Sequence, residues 1–358
     1  MSITIFRPKV WSATLLSVLA KSLVYGGPQC VNRNYEGDIA NYGDSVQITA
    51  IDDPTISDYT KDTDLGDVEA LTDTGQVLTI DQAKAFNFQV DNIDMRQARA
   101  GGALMTEAAF RAGFKLRDTA DQFLAGLMMG GAQSANAVSA VTTSDATDAY
   151  DKVLVPLSEK LDEANVPEEG RFVVVAPSLY SQLLLDSRFI KVNESGSSAG
   201  LRNGNVGGAL GFTILKSNNT PTNVRTTSAD GTTTASSKTL TSATAKFTQA
   251  DVGSKVDDGG TQITAGTTIA SVESATSVTM SANAKAAGTT AAVTIGTTGQ
   301  KVVIAGSNIA TTYAEQINKV VAYQPEKRFA DALKGLHLYG AKVIRPEALA
   351  TCAVVIGY

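Results

Sequence analysis

Few residues in this chain have the type and spacing for catalysis. Its single histidine, His337, sits in a strand-like stretch between Leu336 and Leu338. A serine–histidine–acid arrangement would have to use it, and no GxSxG elbow is present, so His337 reads as a structural or surface residue. Cys30 and Cys352 stand near opposite ends and neither belongs to a CxxC pair. Zinc and dithiol motifs are therefore absent, and two free thiols of a reducing compartment are the expectation. Gly204, Gly207, Gly208 and Gly211 imitate a dinucleotide loop but precede a strand instead of joining a strand to a helix. They read as a flexible loop. Asp62, Asp64 and Asp67 surround Gly66, which arrives too early for an EF-hand. A charged loop, or a salt-bridging tip at a subunit boundary, fits better. Glu168 and Glu169 have no matching pocket elements, and there is no P-loop. No catalytic, cofactor-binding or metal residue is assigned, no cofactor is expected, and the chain is expected not to be an enzyme.

The composition narrows the classes further. The chain has 358 residues, a formal charge of −6 and a pI near 5.0, with 43% hydrophobic and 6% aromatic residues. That length allows one large domain or two to three smaller ones. The acidity argues against a dedicated nucleic-acid reader, which needs a basic patch, but allows a surface that faces nucleic acid without gripping it. Residues 10–20 follow Arg7 and Lys9 and could pass for a signal-peptide core. Lys21 ends the run early, no small-x-small cleavage site follows, and Leu15, Leu19 and Leu23 lie at helical spacing. An amphipathic helix in an arm is the better reading. No apolar stretch approaches the roughly 20 residues of a membrane span, so no membrane partner is expected.

The elements that must position these residues follow from periodicity. Residues 1–42 read as an arm, with a helix over 11–24 and then GlyGlyPro and an Asn-rich connection. Residues 44–51 alternate as a strand, residues 52–76 form a polar tip, and 77–91 resume as a strand with Phe86, Phe88 and Val90 on one face. This is an extended β-hairpin. Residues 92–129 predict a long helix whose stripe is Leu104, Ala108, Ala112, Leu116, Ala120, Phe123 and Leu127. Arg96, Arg99, Glu107, Arg111, Lys115 and Asp118 lie largely opposite, and GlyGly at 130–131 stops it. A linker over 132–146 leads to a helix over 148–165. ArgPheValValValAlaPro (171–177) reads as a buried strand, and 178–185 as a helix capped by Ser178. A Gly-rich loop spans 195–208, and 211–217 is another strand.

The text changes at about residue 224. From Val224 to Thr298 there are 29 Ser or Thr in 75 residues and one aromatic, Phe247. Short apolar-bearing segments between Gly and Asp turns predict an all-β module, inserted into a host that resumes after Gly299. Residues 319–345 carry strand-like segments, and ValValIleGly ends the chain.

Laid in order, these segments resemble a known family. The stretches are AsnArgAsnTyrGluGlyAspIle (32–39), GlyAspSerValGlnIle (43–48) and AspTyrThrLys (58–61). LeuThrIleAspGlnAlaLysAlaPheAsnPheGlnValAspAsnIleAsp (78–94) and AsnValProGluGluGlyArgPheValValValAlaPro (165–177) continue it. GlyPheThrIleLeuLysSerAsnAsn (211–219) and GlyLeuHisLeuTyrGlyAlaLysValIleArgProGluAlaLeu (335–349) complete it. Together they are similar to the coat proteins of tailed bacteriophages with the HK97-like fold, nearest the Salmonella podovirus coat-protein branch. The resemblance covers most of 1–223 and 300–358. It implies an α+β capsid fold with an N-terminal arm (1–43), an extended loop of the peripheral domain (44–91), and a spine helix with its linker (92–145). It further implies an axial domain (146–223 and 300–318), an inserted β-rich domain on the outer surface (224–299), and a C-terminal part of the peripheral domain (319–358). The implied function is a major capsid protein that self-assembles into pentamers and hexamers of an icosahedral head. That head would enclose double-stranded DNA contacted non-specifically, with a scaffolding protein, a portal and a decoration protein as partners. The implied location is the virion, after assembly in the host bacterial cytoplasm.

Two other classes fit parts of the text. An encapsulin-like compartment shell shares the implied fold but needs an inner cargo pocket, and the arm-plus-insert pattern favours a virus. A secreted β-rich adhesin would use the inserted module alone and leaves the long helix unexplained.

Overall fold

The computed structural model describes residues 24–35, 45–51, 73–91, 101–190, 208–222, 225–248, 251–296 and 299–357, with Gly43, Ile56, Asp58 and Lys61 as isolated positions. The arm helix at 11–24, the 52–72 tip, the 92–100 lead-in and most of the 195–208 loop lie outside them, apart from those isolated positions, Val24 and Gly208.

Strands β1 (Ser45–Ile51) and β2 (Asp73–Thr79) form an antiparallel pair, Ser45 opposite Thr79 and Ile51 opposite Asp73. This is the base of the hairpin expected from the alternating text. β3 (Gln82–Asp91) then leads to helix α1 (Gly101–Gly131). At about 1.5 Å per residue the helix runs roughly 46 Å, and it ends at the expected glycine pair. Among its described residues, Ala109, Gly113, Leu116, Arg117, Ala120, Asp121, Leu124, Ala125 and Met128 are buried. The stripe is rotated by about one position from the expected one: Ala108, Ala112, Phe123 and Leu127 are only half-buried. Counting apolar residues alone misplaced it, because Arg117 and Asp121 belong to the buried side and are satisfied there.

The linker expected over 132–146 is corrected by the structure. Ala137–Thr143 forms strand β4. Its small residues give a weak strand signal, and its partner lies at the far end of the sequence. A π-helical turn (Ala149–Leu154) runs straight into α2 (Val155–Glu163), where Pro156 has no N–H to give the preceding turn. β5 (Arg171–Val175) is buried at every residue, as its continuous apolar run requires. Helix α3 (Pro177–Leu185) starts with extended Ala176 at the cap and Pro177 in the first turn. Ser178 is therefore not the cap, because Pro177 takes the first helical position, where its missing N–H costs nothing. The short helix α4 (Ser187–Ile190), β6 (Gly208–Ala209) and β7 (Phe212–Lys216) follow.

The inserted module is a six-stranded antiparallel sheet. Its strands are β8 (Arg225–Thr233), β9 (Thr239–Thr241), β10 (Val256–Asp257), β11 (Ile269–Ser274), β12 (Ser277–Met280) and β13 (Gly288–Ile295), in the order β10-β13-β8-β9-β12-β11. Leu240, Phe247, Val256, Ile263, Ile269, Val278, Met280, Val293 and Ile295 make its own core. The host chain resumes with β14 (Lys301–Ser307), β15 (Thr311–Tyr323), β16 (Ala330–Val343) and β17 (Leu349–Ile356).

Two host sheets organise the rest. One has six strands in the order β4-β17-β14-β5-β7-β6, with parallel β4–β17 and β5–β7 pairs. Helices α1, α2 and α3 contribute to its large core, with Leu124, Met128, Leu157, Leu161, Leu179 and Leu183 all buried. The other is β15-β16-β3, packed on one side by α1 through Ala109, Leu116 and Leu333, and on the other by the hairpin through Ile48, Leu78, Ala314 and Leu338. The last strand thus shares a sheet with β5 and β14, while Thr311–Asn318 of β15 belongs to the three-stranded sheet. The expected division at 318/319 does not coincide with the sheets. Chain continuity was a poor guide because β17 returns past β16 to pair with β14 and β4.

Candidate assembly surfaces

The structure separates the residues singled out for chemistry instead of gathering them. Cys30 and Cys352 are both buried and free. Burial pushes the Cys30 thiol far above its ordinary value, with the charge of Asp121 adding to it, and burial pushes Cys352 up to about 12. Neither thiol is poised as a nucleophile, since the thiolate is the reactive form. Glu168 and Glu169 are exposed in the turn before β5. Gly208 starts β6 and Gly211, at φ +77°, makes the tight turn into β7. Gly204 and Gly207 lie outside the described residues, as do Asp62, Asp64 and Asp67. Among the described residues no group of three or more His, Cys, Asp or Glu could hold a metal ion. No described helix is long and apolar enough to cross a membrane.

What the fold builds instead is a set of projecting and docking segments. The first is 24–35, which lies across two host elements. The backbone N–H groups of Val24 and Tyr25 donate to Asp121 Oδ1 on α1 at 3.1 and 2.9 Å, and Asn219 Nδ2 donates to Asp121 Oδ2 at 2.9 Å. Burial raises the Asp121 carboxyl, and these hydrogen bonds oppose the rise. Further along, Asn32 N–H donates to the Thr311 carbonyl at 2.9 Å and Tyr313 N–H to the Asn32 carbonyl at 3.0 Å. The segment thus adds a short parallel bridge to the edge of β15.

Beside that bridge is a buried polar cluster that sequence reasoning did not identify. Arg33 pairs with Glu315 Oε1, and its guanidinium lies 5.5 Å over the Tyr313 ring. Tyr313 Oη donates to Glu315 Oε2 at 2.7 Å, and His337 Nε2 lies 3.3 Å from the same oxygen. Burial pushes the Glu315 carboxyl up, but the His337 ring, the Arg33 charge and the Tyr313 hydroxyl outweigh it and hold it below its ordinary value. The signal was faint: the four residues come from three separate stretches, joined only by the register Glu315 opposite Tyr339 and Ile317 opposite His337.

Several described positions carry exposed apolar side chains. Phe329, in the turn joining β15 to β16, is 90% exposed, and Ile56, between β1 and β2, is 96% exposed. Phe110 and Phe114 are half-exposed one turn apart on α1, and Leu185 ends α3 in the open. Exposed apolar side chains of this size are candidates for contact with another chain.

The insert, in contrast, is docked against its own host. The turn at 251–254 lies against β4, where a Cβ on Gly253 would stand 2.3 Å from the Ala140 nitrogen. Gln300 Nε2 donates to Ser254 Oγ at 3.0 Å in a buried contact.

Residues 73–240, a little under half of the chain, match the protein family described as phage capsid protein. No curated protein matches the chain. Among solved structures, one from Mycobacterium phage Che8 is 26% identical, with a TM-score of 0.60 over 92% of this chain and 91% of that one. A capsid structure of the cyanophage P-SCSP1u is 17% identical, with a TM-score of 0.56 over 94% and 89%. The mature capsid of bacteriophage PhiM1 is 17% identical, with a TM-score of 0.53 over 87% and 82%. The long helix beside a three-stranded sheet, the hairpin, the six-stranded sheet and these matches converge: the chain has the HK97-like capsid fold, and its residues 73–240 match the phage capsid protein family.

Proposed function

We propose that this chain is the major subunit of an icosahedral head, forming pentamers and hexamers that enclose double-stranded DNA. The observation that carries this reading is the capsid fold, shared over 92% of the chain with the Che8 phage structure, and the exposed Phe329 and Ile56 side chains are available to a neighbouring subunit. At about 25 cal/mol per Å², covering one phenylalanine of some 150–250 Å² is worth several kcal/mol before association costs. The acidic chain suits DNA held without a grip. A scaffolding protein, a portal and a decoration protein are the partners this reading requires or allows, with assembly in the bacterial cytoplasm and the virion as the final location. The Salmonella podovirus coat-protein branch remains our assignment within the family.

In this reading, segment 1–43 and the β1–β2 hairpin reach neighbouring subunits. The peripheral domain holds α1 with the β15-β16-β3 sheet, and the axial domain is built on the six-stranded sheet, now including β4 and β17. The insert at 224–299 faces outward. The test is electron microscopy of the protein expressed alone and beside its neighbouring genes. Closed shells, spirals or tubes support the reading, and a monomer under every condition contradicts it.

A further inference from the structure

We propose that residues 11–23 pack as an amphipathic helix along one face of α1 in the unassembled chain, with Trp11 against Phe110 and Leu15 and Leu19 against Phe114. Phe110, Phe114, Arg117 and Asp121 follow one another at steps of four, three and four. At 3.6 residues per turn they fall within about 60° around the helix axis and form one stripe. Phe110 and Phe114 are each 50% exposed, and the Arg117 guanidinium stands 4.7 Å over the Phe114 ring. Two phenylalanines half in water on one stripe make an apolar face that another segment can cover. The far end of that stripe is Asp121, to which the Val24 and Tyr25 N–H groups donate at 3.1 and 2.9 Å. Residue 23 therefore enters on the same face.

The path of the chain gives the direction. Beyond Tyr25, Asn32 bridges to Thr312 at the start of β15. The neighbouring Thr311 is opposite Val343, and a Cβ on Gly131, the last residue of α1, would stand 2.6 Å from Val343 Cγ2. From Val24 to Asn32 the chain thus moves toward the C-terminal end of α1. The residues before Val24 are left the N-terminal half, where Phe114 and Phe110 lie. The lengths match as well. Phe110 is 11 residues from Asp121 and Trp11 is 13 residues from Val24, which as helix are roughly 16 and 20 Å. Trp11, Leu15, Leu19 and Leu23 recur at every fourth position, an apolar stripe of the kind that covers another helix. Lys21 is the one charged residue between Trp11 and Leu23, and it falls about 200° round from Leu19, on the opposite side. A neighbouring copy could cover the same phenylalanines, but the entry point, the direction and the length single out the chain's own segment.

Trp11 is the single tryptophan of the chain, so tryptophan fluorescence reads the contact in the full, unassembled protein. Its emission is expected at shorter wavelength than in the urea-unfolded chain, at every concentration where sedimentation shows a monomer. Phe110→Ser is expected to shift it to longer wavelength, and Phe329→Ser, which removes an exposed phenylalanine of another surface, to leave it in place. In hydrogen exchange, the amides of 15–23 are expected to be protected about tenfold or more over unfolded rates, and to lose that protection in the Phe110→Ser, Phe114→Ser double variant while β5 and β14 keep theirs. Emission at the unfolded position in the native monomer overturns the proposal. So does a short-wavelength emission that Phe110→Ser leaves unmoved, which puts Trp11 on another surface. One that appears only as the chain associates gives the stripe to a neighbouring copy and overturns it too. If a serine variant does not fold, a short bis-maleimide joining Leu19→Cys to Phe114→Cys within one chain supports the proposal, and failure to join them overturns it. The test uses the unassembled chain, so its failure leaves the capsid reading untouched.

Discussion

Asp121 ties an entering chain segment to the middle of α1, and its chemistry can be tested alone. Its buried carboxylate accepts two backbone N–H groups, from Val24 and Tyr25. Asp121→Ala leaves those donors buried and unpaired, so we expect a loss of about 1–3 kcal/mol in urea unfolding. Asp121→Asn keeps an acceptor and is expected to cost far less. The pH dependence separates the two effects. Burial raises the folded-state carboxyl above its unfolded value. The native state therefore binds its proton more tightly, and this contribution to stability is full below the unfolded value and lost as pH rises through the folded one. Asp121→Asn should remove that fall, and an unchanged pH profile would show that another group causes it. At this scale the amino-acid text was a partial guide. His337 reads as structural from its flanking leucines, and it is buried. Asp121 and Arg117 were not legible, since a polar residue four positions from another on a helix looks like a solvated face until its partners are known. The partners of Asp121, namely Val24, Tyr25 and Asn219, lie about 100 residues away.

Among the elements, the insert makes the sharpest prediction. Gly253 has φ +78° and lies so near β4 that a Cβ would meet backbone atoms of Ser139 and Ala140. Gly253→Val adds both a left-handed strain and a clash that no side-chain rotation relieves. We expect at least about 1–3 kcal/mol of destabilisation in thermal or urea unfolding, with faster proteolysis in the insert. A variant of native stability would mean that the insert is only tethered to its host. Gly340 marks a second close approach, with the Thr79 carbonyl 2.3 Å from where its Cβ would stand. It lets β1 and β2 pack on β16. The hairpin, the long helix and the β-insert were legible because each has a local period or a change in composition. β4 was not, because Ala, Ser and Val in short alternation are neutral, and its pairing with β17 spans some 200 residues. The placement of β17 escaped for the same reason: pairing across a sheet is a long-range fact.

The whole molecule is a subunit with separate cores and exposed projections. Phe329→Ser removes an apolar side chain that touches water on nearly every side, so the chain's own stability should change by no more than about 0.5 kcal/mol. If the β15–β16 turn is covered by a neighbour, the same substitution lowers the yield of shells at fixed protein concentration, read by sedimentation. Normal shell yield would remove this turn from the contacts between subunits.

Negative-stain electron microscopy of the purified chain, alone and co-expressed with its neighbouring genes, tests the central claim most directly. The account expects closed icosahedral shells, or the spirals and tubes of incomplete assembly, with a diameter that reports the triangulation number. A protein that stays a stable monomer in every condition, with a scaffolding protein present, would contradict it.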